Sequence, residues 1–92
     1  MRCEEKISGG KLVCVEVWAE GGTVSVVKIT GDFFLHPEEE ISGMEAALVG
    51  IPLSMPEADV ARLLSGFLKA ANATLIGAAP EDIARIFRRA VS

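Results

Sequence analysis

Hydrophobic and polar positions alternate early in the chain and turn helical later. From Lys11 to Ala19, Val13, Val15 and Val17 share one face while Leu12, Cys14, Glu16 and Trp18 share the other, the period of two expected of a half-buried strand. Gly21-Gly22 supplies the positive φ values of a tight hairpin, and Thr23 to Thr30 is a second β-branched run, so strands over 11–19 and 23–30 are predicted to pair antiparallel. A three-residue loop at Glu20 to Gly22 would set Val13, Val15 and Val17 opposite Ile29, Val27 and Ser25; a two-residue loop would shift the faces of the second strand. Residues 2–7, joined through Ser8-Gly9-Gly10, are polar enough for a third strand at an edge.

After Phe34 the spacing changes. Pro37 opens a predicted helix over 37–49, with Glu38, Glu39 and Glu40 at the positive end of its dipole, Ile41, Met44 and Leu48 as its apolar stripe, and Gly50 as its stop. Ser54-Met55-Pro56-Glu57 has the form of a capping box ahead of Val60, Leu63, Leu64, Phe67 and Leu68, which predicts a helix over 56–71. A third helix over 80–91 presents Ile83, Ile86, Phe87 and Ala90, with Arg88 and Arg89 near its negative end. Strands first and helices afterwards predict an α+β fold, a two- to three-stranded antiparallel sheet packed against about three helices.

At 92 residues the chain is one domain, with 50% hydrophobic and 24% charged residues, the balance of a folded protein. A net charge of −4 argues against nucleic acid as partner, because phosphate-backbone binding needs clustered Lys and Arg. The charge is uneven: residues 36–59 hold six acids and no Lys or Arg, while residues 60–92 hold five Lys or Arg and two acids. Acids follow Met1 where a signal peptide needs an apolar core, and no apolar run is long enough to span a membrane, so a soluble, cytoplasmic protein is expected. Cys3 and Cys14 lack metal-site or disulfide-framework spacing and are expected to be reduced.

No catalytic constellation emerges from the residue pattern. His36 is the one histidine and precedes a proline; Gly10-Lys11 is followed by Leu12, where a phosphate-binding loop needs Ser or Thr; and Glu38, Glu39 and Glu40 are consecutive, so they do not converge on one substrate. Neither a catalytic group nor a cofactor or metal site is assigned to the chain.

The run Val24-Ser25-Val26-Val27-Lys28-Ile29-Thr30-Gly31-Asp32-Phe33-Phe34, followed by a helix ending in Leu48-Val49-Gly50, resembles the C-terminal accessory domain of lipoate–protein ligases, from about Gly10 to the end of the chain. The resemblance implies the accessory subunit of a two-part ligase, docked as a heterodimer on a separate catalytic subunit. That subunit would use lipoate and ATP to form lipoyl-AMP before transfer to a lipoyl acceptor protein. Gly31, Asp32, Phe33 and Phe34 at the strand-to-helix turn are the candidate docking residues. If extended, Phe33 and Phe34 point to opposite sides, so one can enter the core while the other stays available to a partner. Trp18 on the less apolar sheet face is a second candidate anchor, or ordinary core if a helix covers that face. For Gly31 and Asp32, a purely structural role in shaping the turn stands equal to a contact role. An iron–sulfur or sulfur-transfer adaptor, or an interaction module of another enzyme, is the alternative reading.

Overall fold

Three strands, β1 (Arg2–Lys6), β2 (Leu12–Glu20) and β3 (Thr23–Gly31), form an antiparallel sheet in the order β1-β2-β3. The computed structural model describes residues Met1–Ser92. Val13, Val15 and Val17 are buried with Val24, Val27 and Ile29 on one side of this sheet. β1 takes the edge, as its polar composition predicts.

The register differs from expectation, and the reason lies in the turn. Glu20 pairs with Thr23 across a two-residue loop, which alone would turn the second strand's apolar positions outward. A bulge between Trp18 and Ala19 restores them: Ala19 pairs with Val24, Trp18 with Val26, Val17 with Val27 and Val15 with Ile29. Ser25 is the extra residue; it is exposed, and its Oγ donates to the Trp18 carbonyl at 3.0 Å. Ser25 is therefore not the inward partner of Val17.

A second, two-stranded antiparallel sheet was not predicted. β4 (Phe34–His36) pairs with β5 (Thr74–Ile76), matching Phe34 with Ile76, Leu35 with Leu75 and His36 with Thr74. The helix predicted over 37–49 is shorter than expected. A 3-10 turn, Glu38–Glu40, precedes α1 (Ile41–Ala46), and Pro37 is extended at ψ 146°. Gly50 does not cap α1. At φ +89° it bends the chain onto the free edge of β3, where Gly50 N–H donates to the Val24 carbonyl at 2.8 Å and Val24 N–H to the Ile51 carbonyl at 2.9 Å.

α2 (Glu57–Ala70) and α3 (Pro80–Val91) lie close to their predicted spans. Ser54 does not act as the cap of α2, whose first residue follows an extended Pro56 with no side-chain cap. Val60 and Leu64 carry the burial of α2, whereas Leu63 is exposed. α3 supplies Ile83, Ala84, Ile86, Phe87 and Ala90, packing against β1, β2 and α2 to close one core of eighteen buried residues. α3 packs on β1 and β2 and α1 on β3, with α2 packed on α3 and α1, and no helix is long and apolar enough to cross a membrane.

The α3 arginines have internal partners beyond the helix dipole. Arg85 and Arg89 both donate to the carboxylate of Glu5 on β1, Arg85 Nε at 3.1 Å, and Arg88 donates to the Leu53 carbonyl. Partial burial pushes the Glu5 carboxyl upward, but the hydrogen bonds and charges of Arg89 and Arg85 outweigh it and hold the group below its ordinary value of 4.5. A carboxylate depressed in the folded state stabilises above its unfolded pKa and loses that contribution as pH falls through the folded one. Glu5→Gln should therefore lower the melting temperature at neutral pH. The gap to the unmodified chain should close as pH is taken below 4.5, as thermal melts across that range will show.

Candidate docking site

Gly31 ends β3 in a conformation that excludes a side chain. Its φ is +152°, and a Cβ there would lie 2.3 Å from the Leu12 carbonyl oxygen and 2.9 Å from Val13 Cα. Asp32 continues the same tie: its N–H donates to the Leu12 carbonyl at 2.8 Å, and its carboxylate accepts from Leu12 N–H at 3.0 Å. Both residues join the end of β3 to the start of β2 and so set the direction in which the chain leaves the sheet.

The two phenylalanines that follow differ in burial, as alternation along an extended segment leads one to expect. Phe33 is half-buried and packs against the core; Phe34 is 64% exposed. Opposite Phe34 on β5 stands Ile76, 47% exposed, so the smaller sheet presents a cross-strand apolar pair to solvent.

Beside this pair is a groove of about 380 Å³ lined by Ile29, Thr30, Gly31 and Phe33 to His36, and closed by Glu38 and Ile41. The sequence-predicted residues Gly31, Phe33 and Phe34 meet here; Asp32 turns its carboxylate away to Leu12. Glu38 and Ile41 in the groove, and Ile76 opposite Phe34, were missed, because nothing in a helix-start acid signals that it borders a groove and nothing in a three-residue strand signals its partner.

Trp18 belongs to a different surface. It lies on the side of the larger sheet that no helix covers, paired with Val26, and both are about half exposed. Gly31 lies five residues along β3 from Val26, roughly 17 Å. Trp18 and Phe34 therefore form two separate apolar positions. Cys14 lies buried on that same sheet side and Cys3 is half-buried on the other; both are free thiols.

No protein-family model and no curated protein matches the chain. Its fold is shared with a chain of a known lipoylation system. That structure describes a bi-partite lipoate protein ligase and its E2 lipoyl domain from Thermoplasma acidophilum, and the match has a TM-score of 0.77 at 24% identity over 96% of this chain and 93% of the other. At this identity the likeness establishes the fold alone. Because both chains are covered almost throughout, the shared unit is the whole arrangement and not one hairpin or helix pair.

Proposed function

We propose that the chain is the accessory subunit of a two-part lipoate–protein ligase, docking on a separate catalytic subunit and enabling it to make lipoyl-AMP from lipoate and ATP. The observation that carries this reading is the near end-to-end likeness of fold to a chain from a bi-partite lipoate ligase system. The resemblance of residues 24–34 and 48–50 to ligase accessory domains supports it independently of the fold comparison.

On this reading the chain supplies no reacting group. An accessory domain can accelerate adenylation by ordering loops of the catalytic site and excluding water from it, effects that need a rigid docked surface and no proton donor. The groove beside Phe34 offers such a surface, held at its base by the Gly31–Asp32 tie to β2.

Two assays on the catalytic subunit test the proposal. Pyrophosphate release from lipoate and ATP should depend on this chain, while transfer from preformed lipoyl-AMP to an acceptor domain should proceed without it. Equal pyrophosphate release with and without the chain removes the proposal. The solved system also contains a lipoyl domain, so the same reactions should be followed by intact mass. A lipoyl group appearing on Lys6, Lys11, Lys28 or Lys69 would make this chain an acceptor instead.

A further inference from the structure

The walls of the Phe34 groove differ in kind, and together they describe an occupant. The first wall is backbone. Ile29 N–H points away from β2 and donates to the Glu45 carboxylate at 2.7 Å, so alternation along β3 turns the Ile29 carbonyl and Gly31 N–H to the same open edge. Neither has a hydrogen-bond partner in the chain. Nearer its start this edge is closed, by Gly50 and Ile51 at Val24 and by Pro52 bridging to Thr23. From Val27 onward this edge has no backbone partner, and its end lies beside the groove, open to an added strand.

The second wall is apolar, built from Phe33, Phe34 and Ile41. The third is acidic: Glu38 lines the groove, Glu39 and Glu40 continue the same turn, and no Lys or Arg is among the lining residues. Lys11 does not line the groove; its side chain lies against Gly77, just past β5.

We propose that this groove receives an extended segment of the catalytic subunit, one that carries an apolar anchor flanked by lysine or arginine. The proposal rests on the ligase reading above. The anchor packs beside Phe34 and Ile41, its cations face Glu38 and the neighbouring exposed Glu39, and its backbone pairs with the Ile29 carbonyl and Gly31 N–H, the strand-addition mode of peptide recognition. A second copy of this chain is disfavoured as occupant. A two-fold contact would set one acidic rim against another between molecules that each carry a net charge of −4.

The test measures binding of the full chain to a ligase catalytic subunit that lacks its own accessory domain, at low and high salt. Phe34→Asp should weaken the complex at least about tenfold, and the pair Glu38→Lys with Glu39→Lys should slow association and reverse its salt dependence. All three positions are exposed, so circular dichroism should show the fold kept; if Phe34→Asp does not fold, the charge-reversed pair decides the question alone. Trp18→Ala supplies the opposing arm. Weakening by Trp18→Ala with Phe34→Asp and the charge reversal neutral would move docking to the open sheet face, overturning the groove while leaving the ligase reading in place. Failure of the unmodified chain to bind the catalytic subunit or to raise pyrophosphate release would overturn both. Light scattering of the chain alone supplies the last outcome: a dimer lost in Phe34→Asp would assign the groove to a second copy.

Discussion

Replacing Phe87 by alanine should destabilise the chain by about 3–5 kcal/mol, the range for truncating a fully buried aromatic ring. Phe87 is completely buried on the inner side of α3, at the junction of that helix with α2 and the larger sheet. A chain of this size has roughly 5–14 kcal/mol in total, so the loss consumes a large part of its stability. Urea denaturation should show a much lower midpoint with the m-value kept. Trp18→Ala removes a ring of greater size from a half-exposed position and should cost about 1 kcal/mol or less, since only its cross-strand contact is lost. If the two substitutions cost the same, the core is not organised around α3.

The second large effect is expected at Gly31. Alanine there meets two penalties together: a backbone conformation worth about 1–2 kcal/mol against a side chain, and a Cβ driven to 2.3 Å from a carbonyl oxygen of the neighbouring strand. Gly50→Ala carries a positive-φ penalty without a clash, because Gly50 has φ +89° and nothing within 4 Å of an added Cβ. Gly31→Ala should accordingly cost about 2–4 kcal/mol, and Gly50→Ala about 1–2 kcal/mol. Thermal melts of both should show the larger loss at Gly31, where the clash adds to the backbone penalty. Equal losses would mean that β2 yields at Leu12. The comparison also bears on docking, since a binding defect of Gly31→Ala reports on the turn's geometry before it reports on any contact.

The candidate site was only half visible in the sequence, for a definite physical reason. Adjacent phenylalanines in an extended segment must point apart, so one exposed and one packed ring could be expected. Which residues share a surface with the exposed ring depends on pairing between segments about forty positions apart, and Phe34 opposite Ile76 is a non-local contact of that kind. Trp18 looked equivalent to Phe34 by composition alone. Its placement on the uncovered sheet side follows from where the helices pack, which short-range pattern does not encode.

Much of the architecture was written in local periodicity. The strict alternation of Val13, Val15 and Val17, the double glycine after Glu20, and the helical spacing of Val60 and Leu64 and of Ile83, Ile86 and Phe87 determined the hairpin, α2, α3 and the α+β class. These features are local because a strand or helix face is defined by neighbours two to four residues apart. Tertiary structure decided the rest: the bulge at Ser25 that keeps the second strand's apolar side inward, the β4–β5 ribbon, the early end of α1, and Glu5 as the partner of two arginines eighty residues away. Each depends on what a segment meets across the fold. A three-residue strand has too few positions to display a period, a bulge is chosen by the burial it rescues, and an ion pair forms only after two distant backbones have been brought together by the core.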